Sequence, residues 1–198
     1  MTISATTQGI KPGVTTSTNR PTVPFDGQVI SETDTDSLKV YNGTSWVDVA
    51  PKIAIFNETQ AASTTGGTFT SGAWQTRTLN TTVVNNITSC SLASNAVSLP
   101  AGTYRMRAIA QAFQVAEHQV KIFNSTDSTD VQLGGQGYSA TTNEVTTFSE
   151  ATAVVTITGT KSFVVQHRCA TTKASQGFGT AVSWGNCIFA TFEIVRIA

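Results

Sequence analysis

From Lys52 onward, apolar and polar residues fall into runs of strand length separated by clusters of Gly, Asn, Asp, Ser and Thr. The runs are Lys52–Phe56, Trp74–Leu79, Val83–Cys90, Gly102–Phe113, His118–Phe123, Val145–Phe148, Ala151–Thr158, Ser162–Cys169 and Cys187–Ile197. None sustains a helical period, and Thr, Val, Ile and Phe dominate them, so the pattern predicts an all-β sandwich of about eight strands. Alternation assigns faces. In the last run Ile188, Ala190, Phe192 and Ile194 form one side, while Phe189, Thr191, Val195 and Ile197 form the other. Ser162–Cys169 sets Phe163 and Val165 against Val164. Both sides are apolar, whereas an antiparallel sheet facing water keeps one side polar. The expected cover is the facing sheet on one side and a second copy of the chain on the other; loops of the same chain are the alternative.

The first fifty residues read differently. Residues 1–24 are rich in Thr, Ser, Pro and Gly, and Arg20-Pro21-Thr22-Val23-Pro24 is driven toward extended conformations by its two prolines. This stretch is expected to be an arm or linker, held by another chain or, alternatively, folded back on its own domain. Residues 25–51 predict a three-stranded meander: Gln28–Glu32, a turn over Thr33–Ser37, Leu38–Tyr41, the hairpin pair Asn42-Gly43, and Ser45–Val49. Three such short strands need a surface to pack against.

Composition narrows the classes of function. Charged residues make up 12% of the 198, with 12 Lys+Arg against 12 Asp+Glu. Ordinary soluble domains carry about 25% charged residues. The 35 Thr and 18 Ser supply much of the polar surface instead. No basic surplus exists to neutralise phosphates, so nucleic acid is not an expected partner. Neither is a membrane, since no window of 18 apolar residues occurs, and the opening residues lack the basic and apolar regions of a signal peptide. Cys90, Cys169 and Cys187 show no C-x-x-C spacing and are expected to be reduced thiols in strands.

Candidate chemistry is sparse. His118 and His167 each sit in a strand with no second metal ligand at short spacing, and no G-x-S-x-G elbow is present, so no catalytic residue, cofactor or metal site is expected. Asp34-Thr35-Asp36 and Asp127-Ser128-Thr129-Asp130 lack the glycine and distal Glu of a calcium loop and read as turn caps. Gly134-Gly135-Gln136-Gly137, with no P-loop lysine, reads as a flexible loop. Arg105 and Arg107 share a strand face, with Lys121 expected near them; they could clamp an anionic ligand or pair with Glu residues at a subunit interface. Trp74, Phe178 and Trp184 place aromatic rings beside flexible backbone, as sugar or protein contacts or as plugs at the sheet ends.

Two stretches resemble known families. Residues 17–49 carry Arg20-Pro21, Phe25-Asp26-Gly27-Gln28, Thr33-Asp34-Thr35, and Tyr41-Asn42-Gly43-Thr44 ending at Trp46. This pattern resembles a segment of tailed-bacteriophage virion proteins, especially fibre and cyanophage structural proteins. Residues 53–198, with Trp74, Leu79-Asn80, Leu99-Pro100-Ala101-Gly102-Thr103-Tyr104-Arg105 and the closing Phe189–Ile197 strand, resemble the jelly roll of the complement and tumour-necrosis-factor superfamily. The resemblance implies a homotrimer with a jelly-roll domain over 52–198. The resulting expectation is a non-enzymatic virion protein on the particle exterior, a capsid decoration or head-fibre protein. Arg20, Pro21, Phe25, Asp26, Tyr41 and Trp46 would attach it to a major capsid or tail protein. The alternative is a tail-fibre or receptor-binding adhesin, with Arg105, Arg107, Phe178 and Trp184 touching a host surface glycan.

Overall fold

The computed structural model describes residues 12–197. Residues 1–11, the first part of the expected arm, lie outside the described residues. Contacts divide the chain between Pro51 and Lys52 into two units.

The smaller unit is a four-stranded sheet in the order β1 (Gly13–Thr15), β2 (Val29–Glu32), β3 (Ser37–Tyr41) and β4 (Trp46–Asp48). Three strands form the expected meander. The fourth, β1, comes from the segment read as an arm and pairs in parallel with β2, Gly13 against Ile30. Polar contacts hold the unit. Ser17 donates its backbone N–H to Asp34 at 2.8 Å and its hydroxyl at 2.5 Å. Arg20 forks onto the buried Glu32, which also accepts from Thr35 at 2.9 Å. The Arg20 hydrogen bonds hold the Glu32 carboxyl below the usual range against the cost of burial. Lys39 meets Asp48 at 2.6 Å across β3 and β4.

The larger unit is a jelly-roll sandwich. Sheet one runs β13 (Thr146–Ile157), β10 (Gly102–Phe113), β15 (Cys187–Arg196), β5 (Lys52–Gln60), β7 (Thr81–Asn85). Sheet two runs β12 (Thr129–Ser139), β11 (Ala116–Asn124), β14 (Lys161–Cys169), β9 (Ala96–Leu99), β8 (Ser91–Ala93), with the two-residue β6 (Gln75–Thr76) also paired to β14. From β10 to β15 the chain passes repeatedly between the sheets, and the first and last long strands lie side by side.

The inward faces make one core. Phe56, Tyr104, Met106, Phe192 and Ile194 of sheet one meet Val97, Leu99, Val120, Ile122, Phe163 and Val165 of sheet two, all fully buried. Each such side chain contributes about 1.5–3 kcal/mol of transfer free energy. Ala108, Ala110, Ala151 and Ala153 line β10 and β13 from the inside and keep that part of sheet one thin. The Tyr104 hydroxyl, carried into the core, donates to the Pro100 carbonyl at 2.8 Å.

Three expectations need correction. The stretch 134–137 is no loop: it lies inside β12, whose glycines admit close backbone approach. A Cβ on Gly134 would collide with the Glu150 carbonyl oxygen of β13 and lie 2.9 Å from that of Val120. Ser149 closes the same edge, accepting from Val120 N–H at 2.8 Å and donating to the Gly135 carbonyl at 2.6 Å. Second, Val145–Phe148 and Ala151–Thr158 belong to one strand, β13. Third, Ile188 does not face the core. A bulge between Ile188 and Ala190 resets the alternation, turning Phe189 inward and leaving Ile188 47% exposed.

Gly134→Ala is expected to cost about 1–3 kcal/mol through overpacking at the β12–β13 edge. Gly135→Ala, where the new Cβ meets nothing within 4 Å, is expected to change stability by less than about 0.5 kcal/mol. Urea denaturation of the two variants checks this.

Candidate functional site

Between the two sheets at one end of the sandwich lies a buried polar chain absent from the sequence reading. Arg77, just past β6, is fully buried, and its guanidinium meets Glu58 of β5 at 2.6 Å. It also donates to the carbonyls of Gln111 at 3.3 Å, Phe178 at 3.2 Å and Phe189 at 3.1 Å, and stands 4.1 Å from the centre of the Phe178 ring. Burial pushes the Glu58 carboxyl up and the Arg77 guanidinium down, and each partner opposes the effect on the other.

The chain continues through both histidines. Arg77 Nη1 lies 3.5 Å from His167 Nδ1, His167 Nε2 lies 3.0 Å from His118 Nδ1, and His118 Nε2 lies 2.8 Å from Thr147 Oγ1. A guanidinium only donates, so His167 Nδ1 must accept. His167 Nε2–H then donates to His118, and His118 Nε2–H to Thr147. Both rings are therefore neutral. Burial, then the Arg77 charge, lowers His118 to about 4 and holds His167 well below 6.5. This chain offers no free nucleophile or metal ligand; it is a structural tie. Among the described residues no group of three or more His, Cys, Asp or Glu is placed to hold a metal ion. Cys90, Cys169 and Cys187 are free thiols, and burial raises Cys90 and Cys169 to about 11. Cys90 lies outside the strands, contrary to expectation.

The residues singled out from sequence scatter. Arg105 and Arg107 do share the outward face of β10, and Arg107 is paired with Glu150 of β13 at 2.7 and 2.9 Å within the same chain. Lys121 is not near them: it lies on sheet two and binds Asp130 at 2.5 Å. Phe178 is stacked on Phe69 at 4.3 Å beneath Arg77, so it is a packing residue rather than an exposed contact. Trp184 stands 86% exposed. In the small unit Arg20 is occupied by Glu32, and Tyr41 packs on Trp46 at 5.4 Å. Pro21 is half-buried; Phe25 and Asp26 are exposed.

The surface also distinguishes the sheets. Cross-strand rows on the outer face of sheet one read Ile53–Val195–Arg105–Val154, Ile55–Glu193–Arg107–Thr152 and Asn57–Thr191–Ile109–Glu150. Rows on the outer face of sheet two read Gln136–Gln119–Arg168 and Leu133–Lys121–Gln166. Five of these twelve positions on sheet one are apolar, and its charges include a closed pair.

The neutral histidines make stability pH-dependent. The unfolded rings titrate near 6.5 and the folded ones well below, so between these values the unfolded chain binds more protons. Stability is full above about 6.5 and falls as pH drops toward 4. The urea midpoint is expected to decrease steadily from pH 7 to pH 5; a flat midpoint would contradict neutral buried rings. Arg77→Met, which leaves Glu58 buried without its partner, is expected to lose about 3–5 kcal/mol in the same assay at pH 7.

No family model matches the sequence, and no curated protein does. Solved structures similar to the chain include the globular domain of zebrafish complement 1qA protein, at 13% identity and a TM-score of 0.47, covering 75% of this chain and 97% of that one. Murine APRIL at pH 5.0 gives 7% and 0.48, covering 75% and 100%, and Eiger TNF from S. frugiperda gives 11% and 0.47, covering 75% and 94%. At these values the jelly-roll assignment rests on the strand order itself.

Proposed function

We propose that the chain is a non-enzymatic structural protein of a bacteriophage particle, attached through residues 12–51 and displaying the jelly roll on the exterior as a homotrimer. The observation that carries this reading is the apolar surface of the small unit. Its only buried hydrophobic side chain among the described residues is Ile30, while Val14, Val23, Phe25, Val29, Leu38, Val47 and Val49 are exposed, Val23 at 89% and Phe25 at 67%. A unit that stabilises itself by ion pairs and hydroxyls while turning its apolar side chains outward has the chemistry of a docking module. The resemblance of residues 17–49 to virion segments supports the same placement. Arg20, Glu32, Ser17 and Asp34 shape the module, and Phe25 with its neighbours contacts the shell.

Self-association uses the outer face of sheet one. Ile53, Ile55, Ile109, Val154 and Val195 form an apolar field around the closed Arg107–Glu150 pair, as an interface needs. Three copies follow from the resemblance of residues 53–198 to a superfamily of trimers. Capsid decoration is the preferred role, because bridging neighbouring subunits adds buried area to the shell.

Light scattering on the purified chain is expected to return three times the 20.9 kDa chain mass. Val154→Glu, at a position 65% exposed in the single chain, is expected to return one chain mass with an unchanged fold. A monomeric wild type contradicts the assembly. Particles stripped of the protein are expected to lose heat stability, and to regain it with added wild type but not with Phe25→Asp; unchanged particles contradict the decoration role.

A further inference from the structure

A cleft of about 450 Å3 opens on the outer side of sheet two, the sheet not assigned to self-association. Its lining combines Trp74 and Ser71 from the segment leading into β6, Glu117 and Gln119 of β11, Gln136 of β12 and Arg168 of β14. Strand register builds it. Gln119 lies directly between Gln136 and Arg168, so two amides and a guanidinium stand in one row across three strands. The β6–β14 pairing, Thr76 against Gln166, brings the Trp74 segment to the same side.

The parts are fixed before any ligand arrives. The Lys121 ammonium lies 4.5 Å from the centre of the Trp74 ring and is itself tied to Asp130, so the indole is held in place. Gln119 donates its amide to the Gly134 carbonyl at 2.7 Å, which leaves its own carbonyl oxygen as an acceptor. Below the cleft, His118 is locked by the buried chain. By contrast, the side chains of Glu117, Gln136 and Arg168 hold no hydrogen bond or ion pair among the described residues, and all three are exposed.

We infer that this cleft is a binding site for a neutral saccharide of one or two rings. An indole supplies an apolar face for the C–H groups of a pyranose, and flanking planar amide, carboxylate and guanidinium groups match pairs of vicinal hydroxyls. The volume falls in the range of small-ligand sites, about 300–1,000 Å3. Charge selects the class. Glu117 offsets Arg168 in net charge, Lys121 is spent on Asp130 and His118 is uncharged, so the cleft has no positive surplus to favour a phosphate, a sulfate or an acidic sugar. These residues are distinct from Arg105, Arg107, Phe178 and Trp184. The site does not depend on where the chain attaches.

Saturation-transfer NMR on the full chain with lactose, maltose, cellobiose and N,N′-diacetylchitobiose, alongside a sulfated disaccharide, tests the assignment. At least one neutral disaccharide is expected to show transfer and to shift the Trp74 indole N–H. Trp74→Ala is expected to weaken its binding at least tenfold, Gln136→Ala several-fold, and Trp184→Ala not at all, with melting temperatures of the two exposed-site variants unchanged. Should Trp74→Ala lower the melting temperature, Gln136→Ala alone decides. No transfer from any neutral disaccharide overturns the site. So does preferred, salt-sensitive binding of the sulfated one, binding that survives Gln136→Ala and Trp74→Ala, or loss on Trp184→Ala.

Discussion

A single guanidinium determines how one end of the sandwich is assembled. Arg77 has no water to solvate it, so five donors must find acceptors in the protein. It finds them on β5, at the end of β10, on His167 of β14, in the loop before β15 and at the β15 bulge, segments far apart in sequence. The bulge that turns Phe189 inward also places its carbonyl beside Arg77. The loop that carries Phe178 is drawn under the same group, and the histidines are neutral because they are buried and because its charge faces them. A buried ion pair of this kind adds little net stability over a well-packed apolar core, yet losing one partner is costly. Its value here is specification: it determines which segments meet.

Half of the chain's few charges are tied up in ion pairs. Arg20 with Glu32, Lys39 with Asp48, Arg77 with Glu58, Arg107 with Glu150, Lys121 with Asp130 and Lys161 with Asp127 are neutralised in place. These six pairs take up 12 of the 24 charged side chains. The two sheets then divide the work, sheet one presenting Ile and Val beyond its core face and sheet two presenting amides around an indole.

Much of the architecture was legible in residue order. Gly102–Phe113 reads as a strand from its alternation and is one, and the Asn42-Gly43 turn closes where its φ of 86° at Gly43 requires glycine. What stayed hidden follows from physical causes. β12 is glycine-rich, so propensity reads it as loop, but Gly134 answers to the Glu150 and Val120 carbonyls of neighbouring strands and Gly137 to the His118 ring. The β8–β9 hairpin is turned by Ser94 and Asn95, both at positive φ, and two very short strands carry too little pattern to be seen. A bulge shifts alternation by one residue without any mark in composition, which misplaced Ile188. Arg77 and Glu58 look like two ordinary surface charges until the fold removes water from both. Trp74 was visible as an aromatic residue, but its cleft exists only through the register of β11, β12 and β14.

Imaging of intact particles at near-atomic resolution tests the central claim most directly, because it shows at once whether the small unit has a partner. The account predicts trimeric density on the particle exterior, with Val23, Phe25 and Leu38 covered by another virion protein and the sandwich pointing away from it. A chain absent from purified particles, or one whose residues 12–51 touch nothing while the sandwich makes the contact, would contradict it.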